Sequence, residues 1–214
     1  MTQLVINEIF HSIQGESTHS GRPCVFVRLT YCNLRCSYCD TEYAFHEGTS
    51  LTLDEILQRV KAYNTRLVEI TGGEPLFQEG VHDLMNRLCD EGYEVLLETG
   101  GSLDISRVDA RVKRIMDLKC PSSGMLKKNL YTNINHLGHS DEVKFVIGTR
   151  GDFDWAVETM NRYAITDRCT VLMSPVFGEL EPVALAGWIL EQRINVRFQL
   201  QMHKYVWEPE ARGV

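Results

Sequence analysis

No apolar run in this chain approaches the ~20 residues that a membrane-spanning helix requires. The opening stretch, Met1 to Phe10, carries Glu8 and lacks both the basic start and the long apolar segment of an export signal. The expected location is therefore the cytoplasm. Lys and Arg are scattered rather than striped, and the net charge is −7. Phosphate contacts supply most of the affinity of nucleic-acid binders, so neither nucleic acid nor a membrane is an expected partner. The sequence contains no internal repeat, low-complexity tract or Pro/Ser linker, and its 214 residues are read as one domain, 1–214. It also lacks the even cysteine set of a disulfide framework. Seven cysteines without an export signal point instead to metal or cluster ligation wherever several of them gather.

What is present is ordinary globular composition, 43% apolar and 24% charged. Short β-type runs alternate with amphipathic stretches. The predicted strands are Val25–Leu29, Leu67–Ile70, Tyr93–Glu98, Arg114–Leu118, Glu142–Ile147, Thr170–Met173 and Val196–Gln201. The predicted helices are Leu53–Tyr63, Val81–Glu91, Asp152–Tyr163 and Glu181–Gln192. Thr52 and Glu55 form a capping box for the first helix, and Gly92 stops the second. Such alternation implies an α/β fold with a parallel sheet, either open or curled into a partial barrel. In both forms functional groups collect at the carboxyl ends of the strands.

Cys32, Cys36 and Cys39 form C-x3-C-x2-C on the loop after the first parallel strand. Three thiolates can ligate three irons of a 4Fe–4S cube and leave the fourth iron open, whereas electron carriers generally use four cysteines. A zinc site would need a fourth ligand, for which His46 is the nearby candidate. Cys24, Cys89, Cys120 and Cys169 stand alone and read as small apolar side chains.

The cysteine spacing resembles the signature of the radical-SAM superfamily. That resemblance implies S-adenosylmethionine (SAM) chelating the open iron, Tyr38 lying against the adenine, and reductive cleavage to a 5′-deoxyadenosyl radical. The next predicted strand ends in Thr71-Gly72-Gly73-Glu74-Pro75. On its own this would be only a tight turn, but one strand after the cysteine loop it is similar to the superfamily's SAM-contacting segment, giving Gly73 and Glu74 to SAM. Glu98, at the end of the third strand, can accept from ribose hydroxyls; the plainer reading is a solvated strand end. By resemblance Asp117 and Lys119, at the end of the fourth, also border SAM.

The two ends of the chain narrow the likeness. Glu8-Ile9-Phe10-His11-Ser12-Ile13-Gln14-Gly15-Glu16, a cysteine loop ending Cys39-Asp40-Thr41, Leu97-Glu98-Thr99-Gly100-Gly101, and Gln201-Met202-His203 near the C-terminus resemble the 7-carboxy-7-deazaguanine synthase family. One departure is Ser17, where that family often has Gly. The resemblance implies a partial TIM-type βα barrel with a radical-SAM core. It also implies ring contraction of 6-carboxy-5,6,7,8-tetrahydropterin with loss of ammonia, assisted by Mg2+. Ile13, Gln14, Gly15, Glu16, Arg28, Thr71, Gln201, His203 and Val214 are then substrate-facing, and Thr41 is the Mg2+ ligand. Glu16 can accept adjacent N–H donors of the pterin edge, and Arg28 can meet its carboxylate through a planar fork. The plainer readings pair Arg28 with Glu69 or Asp40, make Glu16 and Thr41 caps, and place His203 in the core. Trp207 is expected to anchor a short tail. A homodimer and a reductant such as flavodoxin or ferredoxin are implied partners. A glycyl-radical activating enzyme, which shares the cysteine motif but acts on a protein, and a zinc-stabilised module remain the alternative readings.

Overall fold

A strand that is apolar on both faces must be covered on both, and here the two covers differ in kind. In the computed structural model, which describes residues 2–214, β1 (Gln3–Ile13) and β2 (Pro23–Leu29) form an antiparallel pair, and β3 (Thr49–Thr52) adds to the free edge of β1. The chain continues through α1 (Leu53–Lys61), β4 (Leu67–Gly72), α2 (Val81–Asp90), β5 (Glu94–Thr99), β6 (Lys113–Asp117) and β7 (Glu142–Ile147). It then passes α3 (Arg150–Arg162), β8 (Thr170–Pro175), α4 (Pro182–Gln192), β9 (Arg197–Phe198) and α5 (His203–Val206). The sheet order is β3-β1-β2-β4-β5-β6-β7-β8-β9, parallel from β2 onward and not closed on itself. The expected partial βα barrel is the architecture observed.

Side chains alternate between the two faces of each strand. Val68 and Ile70, Val95 and Leu97, Val143 and Phe145 point outward and join the apolar stripes of α1 to α4 in the main core. The inward set is mixed. Phe10, Cys24, Phe26, Leu67, Leu96 and Ile115 form a small second cluster. Along β5 the inner positions run Glu94, Leu96, Glu98, and along β6 Lys113, Ile115, Asp117, so polar levels lie on both sides of an apolar one.

The segment 14–22, between β1 and β2, lies across the lower end of the barrel. It is closed by Gln14 N–H donating to the Arg22 carbonyl at 2.8 Å. The Thr18 amide and hydroxyl both donate to Glu142. His19 Nε2 lies 3.1 Å from Glu94, which also accepts from Lys113 and Arg22 at 2.6 Å each. These bonds, led by that from Arg22, hold the Glu94 carboxyl down at about 2. Ser17 has φ +63°, in the left-handed region that favours glycine, and its Oγ accepts from the His19 amide at 3.0 Å. That backbone angle is the physical reason glycine suits this position.

Thr52 and Glu55 form the expected capping box on α1, and Thr149 with Asp152 forms a second one on α3. β1 and β3 are not among the predicted strands: β3 is a four-residue edge strand, and β1 carries Asn7, Glu8, His11 and Ser12 among its apolar residues. The expected strand Val196–Gln201 reduces to Arg197–Phe198, so Gln201 and His203 do not stand at a strand end. Gln201 lies in irregular chain, and His203 opens α5.

Asp152 is buried and accepts from Ser122 N and Oγ, Gly148 N and Thr149 N. Burial alone would raise its carboxyl; these donors outweigh it and hold the group below the usual carboxylate value. Asp152→Ala is expected to lose about 2–3 kcal/mol at neutral pH, measured by chemical denaturation. Because the folded-state value is depressed, this contribution is full above about pH 4 and fades as the pH falls below it, so parent and variant converge in acid.

Candidate active site

The loop that carries the three thiols leaves β2 through Thr30 and Tyr31, and Tyr31 adopts φ +77°. Its backbone is held from one side by the end of β4. Gly73 N–H donates to the Leu29 carbonyl at 3.1 Å and Glu74 N–H to the Tyr31 carbonyl at 2.8 Å. A Cβ on Gly72 would come within 2.3 Å of Leu29 O, and one on Gly73 within 2.2 Å of Tyr31 O. The paired glycines therefore serve a close approach between two backbones. From the other side the loop after β6 receives Ser37, whose amide and hydroxyl donate to the Ser123 and Ser122 carbonyls at 3.1 and 2.8 Å. Arg35 donates to the Cys32 carbonyl at 2.8 Å and lies 4.1 Å above the Phe45 ring.

Cys32, Cys36 and Cys39 face a common cavity of about 850 Å3. Burial raises each thiol above its ordinary value, and the Lys119 ammonium opposes that rise at all three. Among the described residues no three His, Cys, Asp or Glu side chains converge on a single-ion site. Three thiols on one wall of a cavity suit a multi-iron cube, where each takes its own iron, better than one zinc ion, which would need a fourth ligand.

The remaining wall holds the residues assigned to SAM. Tyr38 lines the cavity, with its hydroxyl 3.5 Å from the Val146 carbonyl. Gly73, Glu98, Asp117 and Lys119 line it as well. Lys119 donates to Asp117 Oδ2 at 2.8 Å, whereas Asp117 Oδ1 is buried with no partner. Glu74 differs from its expected role. It does not line the cavity; its fully buried carboxylate accepts from Leu76 N, Thr99 Oγ1 and Gly100 N, the last at 2.7 Å. Those donors use its capacity, so its side chain fixes the end of β5 rather than touching a ligand.

Ile13, Gln14, Gly15, Glu16, Arg28, Thr71, Gln201, His203 and Val214 all line the same cavity. Glu16 Oε1 accepts from Gln201 at 3.1 Å and Oε2 from Lys144 at 2.9 Å. Burial would raise the Glu16 carboxyl, but Lys144 and then His203 outweigh it, and the group titrates below its ordinary value. Gly15 permits the approach of α5: a Cβ there would lie 2.6 Å from His203 Nδ1, and its carbonyl accepts from Met202 N at 3.0 Å. Arg28 is half-buried between Phe10 and Tyr43 and pairs with Glu8 at 2.7 Å, not with Glu69 or Asp40. Thr41 lines the cavity and donates to Asp40 at 2.9 Å; it makes no side-chain cap to the following turn.

Residues not singled out in the sequence complete the site. Lys144, set between apolar neighbours on β7, and Glu69, the lone charge on β4, lie inside the barrel, and those settings were the available signal. Lys204 pairs with Asp40 at 2.7 Å, and Arg212 lies 3.8 Å above the Tyr43 ring and 3.1 Å from Glu47. These contacts draw the C-terminal segment along the cavity mouth. Trp207 is only partly covered, so the tail is held mainly by ion pairs rather than by a buried ring.

The model of the Radical SAM superfamily matches residues 27–181. A 7-carboxy-7-deazaguanine synthase of Chlorobaculum tepidum is 49% identical, over 99% of this chain and 97% of the relative. A protein of the same name from Koribacter versatilis is 43% identical, over 98% and 99%. Among solved structures, QueE from Escherichia coli superposes with a TM-score of 0.78 at 22% identity, covering 94% of this chain and 95% of that one, a likeness of fold. With the thiol loop, the glycine-paired strand end and the Gln14–Glu16 segment around one cavity, the chain belongs to the radical SAM superfamily and, within it, to the 7-carboxy-7-deazaguanine synthase family.

Proposed function

We propose that this chain acts as a 7-carboxy-7-deazaguanine synthase, contracting the ring of 6-carboxy-5,6,7,8-tetrahydropterin with loss of ammonia, a carbon–nitrogen lyase step of queuosine and deazapurine biosynthesis. The observation that carries the reading is one cavity that holds three thiols on one wall and Glu16, Arg28, Gln201 and His203 on another. A volume of about 850 Å3 accommodates a nucleoside-sized cofactor together with a bicyclic substrate.

When bound, a 4Fe–4S cluster on Cys32, Cys36 and Cys39 together with SAM supplies the hydrogen-abstracting radical. The chain's own residues bind and orient. Tyr38, Gly73, Glu98, Asp117 and Lys119 border the SAM side, and the partnerless Asp117 Oδ1 fits a donor on that cofactor. Glu16, held ionised by Lys144, accepts the adjacent N–H donors of the pterin edge, and Gln14 and Gln201 extend the same polar wall. Arg28, kept in place by Glu8 and its two aromatic neighbours, meets the substrate carboxylate. Thr41 offers a hydroxyl oxygen beside that carboxylate, a hard donor suited to Mg2+. A cytoplasmic homodimer reduced by a flavodoxin or ferredoxin fits this reading. Among the described residues no helix is long and apolar enough to cross a membrane.

Anaerobic incubation with SAM, a reductant and 6-carboxytetrahydropterin is expected to give a deazapurine, detected by mass. An intact cluster that cleaves SAM but yields no deazapurine would move the reading to a glycyl-radical activating enzyme. Cys32→Ala, Cys36→Ala and Cys39→Ala are each expected to lower bound iron to background. Cys24→Ala, Cys120→Ala and Cys169→Ala, which replace buried thiols in the packed interior, are expected to retain it. Removing Gly213 and Val214, which line the cavity mouth, is expected to raise the substrate KM about tenfold, as loss of one polar contact does, with iron content unchanged. Unaltered substrate kinetics would remove the tail from the site.

A further inference from the structure

Four titratable side chains meet inside the barrel at the floor of the cavity: Glu16 from the segment between β1 and β2, Glu69 from β4, Glu98 from β5 and Lys144 from β7. The lysine is the hub. Its ammonium donates to Glu16 at 2.9 Å and to Glu98, and its side chain is only 6% exposed. Glu69 accepts from Gln14 Nε2, and Gln14 Oε1 in turn accepts from the Glu16 amide at 2.5 Å. A buried lysine is ordinarily pushed toward its neutral form by desolvation; here two carboxylates reverse that. Burying ionisable groups is unfavourable unless opposite charges and hydrogen bonds compensate, as the lysine does here. The Glu16–Lys144–Glu98 bridge ties a substrate-facing carboxylate to one on the SAM side.

We propose that Lys144 is a positioning residue for the reaction: bonded to Glu16 and Glu98 together, it keeps Glu16 ionised and oriented toward the N–H edge of the substrate. This assignment rests on the reading of Glu16 as the group that faces the pterin. The charged and titratable groups facing Glu16 are Lys144, which stabilises its anion, His203 on α5, which does so less, and Glu69 and Glu98, which oppose it. Burial, and then the Glu98 and Glu16 charges, push the Glu69 carboxyl well above the usual carboxylate value. Three carboxyl groups thus surround one cation, and the excess of acceptors suits a ligand edge made of donors.

The test measures substrate binding and turnover against pH in the anaerobic holoenzyme, for the parent, Lys144→Met and Lys144→Arg, with iron content and thermal melting as controls. Lys144→Met removes the cation at nearly constant volume. Its substrate dissociation constant at neutral pH is expected to rise ten- to a hundredfold. The acid limb of both binding and kcat/KM is expected to move up by about one pH unit or more, because Glu16 then needs a higher pH to ionise. Lys144→Arg retains the cation and is expected to keep the limb at its parental pH. An unshifted limb in folded, iron-loaded Lys144→Met, or an equal shift in Lys144→Arg, would overturn the assignment. If Lys144→Met fails to fold, Lys144→Gln, which keeps a polar hydrogen-bonding side chain without the charge, is expected to show the same shift; a parental limb there also overturns it. A parent that binds the tetrahydropterin but forms no deazapurine would sink the proposed function, while the binding profile still decides the role of Lys144.

Discussion

Two backbone hydrogen bonds, Gly73 N–H to the Leu29 carbonyl and Glu74 N–H to the Tyr31 carbonyl, are the constraint from which the site is built. They seat the root of the thiol loop directly against the next strand end, at a separation that admits no Cβ on either glycine. The connection continues through Glu74, whose buried carboxylate gathers Thr99 and Gly100 from β5. Three successive strand ends are thereby joined by main chain and one side chain. A loop tied at its root in this way presents side chains with little freedom, and Ser37 and Arg35 remove much of what remains. Such pre-organisation matters where reacting atoms must be held close and water kept out.

The barrel interior follows a different logic from the helix-covered face. Outside, apolar strands and amphipathic helices bury one another, and burial alone is favourable. Inside, a thin apolar level lies between two polar ones, and each charge is tolerated only because opposite charges or donors surround it. Glu94 with Arg22, Lys113 and His19 closes the lower end, and Lys144 with Glu16 and Glu98 forms the floor of the cavity. The segment 14–22 takes part in both networks, so the left-handed Ser17 lies between a structural ion cluster and a ligand-facing one.

Much of this was legible in the sequence, for reasons that differ by residue. The thiol loop, the glycine pair and the capping boxes could be read because their partners are near in sequence or their chemistry is carried by consecutive residues. The architecture could be read because strand–helix alternation leaves few topologies. Lys144 could not be assigned, since Glu16 lies 128 positions away and nothing local announces the pairing. The Glu8 partner of Arg28 was hidden likewise, as antiparallel pairing of β1 with β2 sets Glu8 opposite Arg28. Glu74 was read as a ligand because motif likeness gives position but not where a carboxylate points.

The last feature concerns how the open side of the sheet is finished. β9 pairs over only two residues, and beyond it the wall of the cavity is irregular chain and one short helix, held by Lys204–Asp40 and Arg212–Glu47. No ladder hydrogen bond of the central strands depends on that wall. Length and composition there can therefore drift by insertion or replacement without disturbing strand register, whereas a one-residue slip in β4 or β5 would turn every inward group outward. The fold thus separates a framework that natural variation must leave alone from a border it can rewrite, and it is at this border that relatives handling differently shaped ring systems would be expected to diverge.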